Sequence, residues 1–111
     1  MLDNVAVFSL WKDFTGWLLD HTQNFPKSVR FTFSSRIDNL TLDILQQIVK
    51  AAYKKNKKEI LLDINLNLTV LRLLLSLSYD RKYLPPKSYK YAMEKIGEAG
   101  RMIGGWLRSC K

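Results

Sequence analysis

The chain has 111 residues, 47% of them hydrophobic and 25% charged, enough apolar matter to fold one domain and too much for a disordered tail or a collagen-like repeat. Eighteen Lys and Arg against ten Asp and Glu leave a formal charge of +8, and a small domain this basic meets a polyanion: nucleic acid, an anionic membrane surface or an acidic protein. One cysteine, Cys110, excludes an internal disulfide and suits a reducing compartment, so the expected location is cytoplasmic.

The opening MLDNVAVFSLWKDF places an acid before any lysine, which does not read as a secretory leader. The most apolar stretch, Ile64 to Tyr79, is shorter than the ~20 residues of a bilayer span and contains Asn65, Asn67 and Arg72. No membrane partner is expected from it. Charge is uneven: residues 1–24 carry −2, residues 25–58 carry +6, residues 59–83 are neutral and residues 84–111 carry +4. A knot of lysines, Lys54-Lys55-Asn56-Lys57-Lys58, separates the second segment from the third, and reads either as a solvated loop or as part of a binding surface.

Pro26, the lysine knot and Pro85-Pro86 punctuate the chain into four elements of a single domain spanning 1–111. In the first, Val7, Trp11, Phe14, Leu18, His21 and Phe25 recur at alternating steps of four and three, which predicts a helix over 5–24, stopped ahead of Pro26. His21 sits on that apolar stripe, so it reads as a core or interface residue rather than a ligand. In the second, Val29, Phe33, Ile37, Leu40, Ile44, Ile48 and Ala52 predict a helix over 27–54. The alternation of Val29, Phe31 and Phe33 pulls its first turns toward strand.

The third segment holds the same conflict. Ile64, Leu66, Leu68 and Val70 alternate with polar residues as in a strand, yet Ile64, Leu68, Leu71, Leu75 and Ser78 keep the helical step. Residues 57–83 contain no Gly or Pro to turn a hairpin, and strands rarely exceed about ten residues, so a helix is predicted there. The fourth, over 86–109, is the cleanest: Ala92, Ile96, Ala99, Ile103, Trp106 and Cys110 form one stripe, with Pro86 suited to a first helical turn. Gly97, Gly100 and Gly104 run beside that stripe. Each costs about 1 kcal/mol relative to Ala in a helix interior, so close approach of another helix backbone is the expected compensation, with Gly97, Gly100, Gly104 and Trp106 as packing or oligomer residues. Four helices with short connections predict an all-α, antiparallel up-down-up-down bundle.

Catalytic constellations are nearly absent. One His and one Cys, without CxxC or HExxH spacing, make a metal site improbable, and no Gly-rich loop follows a strand. No basic residue precedes His21 at the spacing that all-helical ribonucleases of the HEPN type use. The chain is expected not to be an enzyme and to hold no cofactor. The basic residues say more. Lys87, Glu94, Arg101 and Arg108 share one heptad position. Arg72 is the only charge between Ile64 and Tyr79, so it is either paired inside the bundle, at an edge, or facing a partner. Arg81, Lys82, Lys87 and Lys90 interleave with Tyr79, Tyr83, Tyr89 and Tyr91, a mixture that suits phosphate neutralisation with base stacking. Thirteen aromatics, Trp11, Trp17 and Trp106 among them, point to self-association.

The run LRLLLSLSYDRKYLPPKSYKYAMEKIGEAGRMIGGWLRS resembles the accessory variability protein (Avd) family of diversity-generating retroelements. The resemblance rests on Leu71-Arg72, a proline-containing loop, and Gly100-Arg101-x-x-Gly104-x-Trp106. FPKSVRFTFSSRI, from Phe25 to Ile37, is also similar to the wider four-helix-bundle superfamily that includes ribosomal-RNA intervening-sequence proteins. The Avd resemblance implies a non-catalytic four-helix bundle assembled as a homopentameric barrel. It implies binding of a reverse transcriptase and its template RNA or cDNA in support of adenine-mutagenic cDNA synthesis. Arg72 and Arg101 then fall on the basic surface, with Arg81, Lys82, Lys87, Lys90, Arg108, Lys57 and Lys58 as further binding candidates, while Gly100, Gly104 and Trp106 fall on packing positions. Ser76 stands where the family often has a second basic residue. The alternative is an RNA- or ribosome-associated bundle of the intervening-sequence type without a polymerase partner.

Overall fold

A computed structural model describes residues 5–110; the expected domain limits at 1–4 and 111, and the first residues of the opening MLDNVAVFSLWKDF, lie outside it. Four α-helices account for the architecture: α1 (Val5–Thr22), α2 (Ser35–Tyr53), α3 (Lys58–Asp80) and α4 (Pro86–Arg108). α1 and α3 each pack on both α2 and α4, so the helices form a square in chain order, 45 Å long and about 20 Å across. Short connections make neighbours antiparallel, and the up-down-up-down bundle is what the periodicities predict.

The stripes predicted from spacing form the core. Val7, Trp11, Phe14 and Leu18 of α1 meet Ile37, Ile44 and Ile48 of α2, Ile64, Leu68, Leu71 and Leu75 of α3, and Ala92, Ile96, Ala99, Ile103 and Trp106 of α4. Trp11 is fully buried and its indole Nε1–H donates to the Thr41 carbonyl at 2.9 Å, which fixes α1 against α2. Buried hydroxyls find carbonyls one turn back: Thr15 on Trp11 at 2.6 Å, Thr41 on Ile37 at 2.7 Å and Ser78 on Leu74 at 2.8 Å. Such local bonds let small polar residues sit in an apolar core without an orphaned donor.

The helices end earlier than their predicted limits. α1 stops at Thr22, where the amides of Asn24 and Phe25 turn back onto the carbonyls of His21 and Thr22 before Pro26. The predicted helix over 27–54 begins differently. Lys27–Val29 is one 3-10 turn and Arg30–Ser34 a π-helical turn, and α2 proper starts only at Ser35. β-branched and aromatic residues in RFTFS make a regular α-turn unfavourable, and Ser35 Oγ–H reaches back five residues to the Arg30 carbonyl at 2.9 Å. The wide turn points Phe33 at Tyr83, centroids 5.3 Å apart, and leaves Phe31 in solvent, 86% exposed.

α3 closes with a Schellman motif: Lys82 N–H donates to the Tyr79 carbonyl and Tyr83 N–H to the Ser78 carbonyl, with Lys82 at φ 66°. By length and composition α3 is apolar enough to cross a bilayer, which the shorter stretch marked out in the sequence does not suggest. In the fold one of its faces, with Leu61, Ile64, Leu68, Leu71 and Leu75, is bundle core.

Candidate nucleic-acid interface

α4 faces the core with Ala92, Ile96, Ala99, Ile103 and Trp106, and Gly97, Gly100 and Gly104 lie half-buried along its edge beside α3. The helix geometry decides what covers them. Side chains lean toward the helix N-terminus, so Arg101 and Arg108 fall back over the glycines four residues earlier. Nη1 of Arg101 lies 3.7 Å from the place a Cβ on Gly97 would occupy, and Nη1 of Arg108 lies 3.5 Å from that on Gly104. From α3, Nη2 of Arg72 comes within 3.4 Å of the same place on Gly100. Three guanidiniums from two helices thus line one glycine stripe within about 10 Å of helical rise.

No backbone of another helix in the chain approaches Gly97, Gly100 or Gly104; the atoms nearest a Cβ there are arginine tips. The stripe is a shallow bed for cations. Trp106 is buried in the core, 8% exposed.

Arg72 is half-buried, and the paired alternative is not realised. Among the described residues the one ion pair is Lys95–Glu98 at 3.7 Å, and none of Arg72, Arg101 and Arg108 meets a carboxylate or donates a hydrogen bond. Like charges gathered in this way repel by up to about 1 kcal/mol per close pair in water, and a bound anion with several charges removes that penalty. Planar guanidiniums in a row suit phosphate oxygens.

The remaining candidates divide. Lys90 lies seven residues before Gly97 and so continues the same stripe toward the α3–α4 turn, where Arg81, Lys82 and Lys87 are exposed. Beside them a cleft of about 670 Å³ is lined by Tyr79, Asp80, Lys82, Tyr83, Leu84, Pro85 and Pro86. The tyrosines are largely engaged with the bundle. Tyr79 stacks on Tyr89 at 4.5 Å, Tyr83 packs on Phe25 and Phe33, and Tyr91 packs on Trp17 at 4.6 Å. Arg81 Nε–H donates to Tyr83 Oη at 3.2 Å.

At the opposite end, Lys58 is exposed but Lys57 is a helix cap. Its ammonium donates to the carbonyls of Ala51, Ala52 and Lys54 at the end of α2 and lies 5.9 Å over the Trp106 ring. Lys57 therefore holds the α2–α3 connection against α4, leaving the neighbouring lysines to solvent. His21 is structural: Nδ1–H donates to the Trp17 carbonyl at 2.8 Å and its ring stacks on Trp17 at 3.9 Å. No group of metal-binding side chains occurs among the described residues.

A family model described as bAvd-like, the bacterial accessory variability determinants, matches residues 7–110, nearly the whole described chain. The chain belongs to the bAvd-like family. No curated protein and no solved structure matches it. The family match takes in both helices that build the guanidinium row, and Arg72, Gly100, Arg101 and Gly104, which carry the resemblance in sequence, meet there in space.

A feature that sequence reasoning passed over lies on the outer face of α3. Leu62, Leu66, Val70, Leu73 and Leu77 are 48, 63, 38, 66 and 46% exposed. The signal was present: these residues repeat at helical spacing on the side opposite Ile64, Leu68, Leu71 and Leu75, so α3 is apolar on two faces where a peripheral bundle helix needs one.

Proposed function

We propose that this chain is a non-enzymatic accessory subunit of a diversity-generating retroelement. It binds the element's reverse transcriptase and its template RNA or cDNA, supports mutagenic reverse transcription, and works in the cytoplasm as an assembly of several copies. The observation that carries the reading is the row of unpaired guanidiniums of Arg72, Arg101 and Arg108 over the glycine stripe, in a chain of the bAvd-like family. Lys87, Lys90, Arg81 and Lys82 extend the surface toward one end of the bundle and Lys58 lies toward the other.

The row acts through phosphates. Three neutralised phosphates on a single strand give a slope of about −2 in log affinity against log salt, and the flanking lysines steepen it. Titration of template RNA at rising salt, with the unaltered chain and with Arg72→Ala combined with Arg101→Ala, tests the reading. The double variant is expected to keep its helical circular dichroism, weaken RNA or polymerase binding, and lose more than one unit of that slope. Unchanged binding of both partners overturns the assignment. A neighbouring reverse transcriptase gene with paired template and variable repeats separates this reading from an RNA-associated bundle without a polymerase. Native mass separates the five-copy ring implied by the resemblance, about 65 kDa from copies of 13.0 kDa, from smaller assemblies.

A further inference from the structure

We infer that the cleft at the α3–α4 turn takes one unpaired guanine of a single RNA strand, with Asp80 holding the Watson–Crick edge of that base. The site rests on the RNA-binding reading proposed for the chain and adds a base-selective contact to it. The cleft, about 670 Å³, is of the size that small-ligand sites have. Its lining suits a flat ring. Leu84, Pro85 and Pro86 supply rigid apolar surface, Leu84 buried and the prolines exposed. Tyr79 stacks on Tyr89 at 4.5 Å and 10° and is still 37% exposed, so its ring is held in place with surface left for a further ring. Bases of single strands stack on such platforms whatever their identity. Preference among them needs a polar group, and the cleft contains one acid.

Asp80 has no partner in the fold. It is the only acid between Asp63 and Glu94, a stretch that also holds Arg72, Arg81, Lys82, Lys87 and Lys90. Its carboxylate is exposed and makes no ion pair or hydrogen bond among the described residues. It is also the last residue of α3, where the negative end of the helix dipole disfavours a carboxylate. A residue that breaks a local preference without compensation marks a functional position. A carboxylate only accepts hydrogen bonds, and guanine is the RNA base with two adjacent donors on one edge, N1–H and N2–H. Adenine and cytosine set one amino donor beside a ring-nitrogen acceptor that a carboxylate repels, and uracil sets one N–H between two carbonyl oxygens. Lys82, in the same cleft, supplies a donor for guanine O6, while Arg81 and Lys87, exposed at the turn, neutralise the strand's phosphates. An acidic peptide would suit these cations and be repelled by Asp80. A strand carrying guanine satisfies both signs.

Fluorescence anisotropy of the intact chain tests the site with labelled oligouridylates of about twelve nucleotides, each with one central guanine, inosine, adenine or cytosine. Inosine lacks only the N2 amino group of guanine and so removes one of the two donors. The guanine strand is expected to bind roughly tenfold more tightly than the other three, the low end for a bidentate base contact because the cleft is open to water. Asp80→Asn, which exchanges one acceptor for a donor, is expected to level the four. Arg72→Ala with Arg101→Ala is expected to weaken all four alike and keep the preference. Equal affinities for the unaltered chain, or a preference that survives Asp80→Asn, overturns the subsite and leaves the RNA-binding reading standing. A preference lost with the two arginines overturns it as well, because the selective contact then lies at the guanidinium row. If no strand binds, the subsite falls, and titration of template RNA alone decides the function. Asp80→Asn that weakens binding of the polymerase and changes no RNA affinity gives the cleft to a protein partner and overturns the guanine assignment.

Discussion

Nη2 of Arg72, on α3, lies 3.4 Å from the point where a Cβ on Gly100, on α4, would be, an ordinary contact distance. The absent side chain of Gly100 is what lets a half-buried guanidinium from the neighbouring helix lie flat on α4. With no carboxylate near it among the described residues, Arg72 gives the fold a stem to pack and no ion pair.

Arg72→Met therefore separates binding from stability. Methionine keeps the apolar stem and removes a partly desolvated charge, so the urea midpoint is expected to stay level or rise. Polyanion affinity is expected to fall, with the salt slope smaller by about one unit. A lower midpoint would show that the guanidinium itself holds α3 to α4.

The glycines give a second test, because the two explanations for them predict opposite signs. Where only arginine tips lie near, at 3.5 Å for Gly104 and 3.7 Å for Gly97, an added methyl displaces a flexible side chain and gains helix propensity. Gly97→Ala and Gly104→Ala are each expected to stabilise the chain by about 1 kcal/mol, read as a shift in urea midpoint at constant slope. Gly16→Ala on α1, with nothing within 4 Å, is the reference for propensity alone. Destabilisation or loss of assembly at Gly97 and Gly104, with the Gly16 gain intact, would place another helix on the stripe.

Most of the fold was legible because the core residues obey one rule. Val7 to Leu18, Ile64 to Ser78 and Ala92 to Trp106 are buried at the helical steps that predict them. Residues 30–34 were not legible as a π-turn: the same Phe, Thr and Ser residues fit strand and helix alike, and the choice is made by Tyr83 and the Arg30 carbonyl, distant or backbone partners that no spacing reveals. At the site, Arg72 and Arg101 could be named from the sequence. That a glycine on one helix makes the bed for an arginine on another depends on how α3 and α4 lie together. Lys57 looked like its neighbours in the lysine knot and differs only because its ammonium can reach three carbonyls at the end of α2.

Lys82 closes α3 in a left-handed conformation, φ 66°, that costs a residue with a Cβ about 1 kcal/mol and glycine nothing. Lys82→Gly is expected to stabilise the chain by about that amount, read as a higher urea midpoint at constant slope, while removing one exposed cation from the α3–α4 turn. Lys82→Val, β-branched, is expected to lower it. Equal midpoints for the three chains would mean that the Schellman closure does not hold in solution.

Asp38 supplies a pH dependence with a definite sign. Its carboxylate accepts a hydrogen bond from Thr22 Oγ1 at 2.6 Å, yet burial between α1 and α2 raises its pKa above the ordinary aspartate value, outweighing the lowering effect of that bond. Asp38 stands in the first turn of α2, where a helix N-terminus would favour its charge, but the backbone is already helical from Arg30, so the free amides of that end lie upstream. A folded-state pKa above the unfolded one means that the folded chain holds the proton more tightly. The stabilisation from protonated Asp38 is complete below about pH 4 and is lost as pH rises through the higher folded value. Asp38→Asn keeps the acceptor for Thr22 and stays neutral at every pH. The variant is expected to be more stable than the unaltered chain at pH 7, with the gap closing as pH falls toward 4. Urea midpoints for both chains across that range check it, and a gap that is constant or widens on acidification would show that burial does not govern this carboxyl.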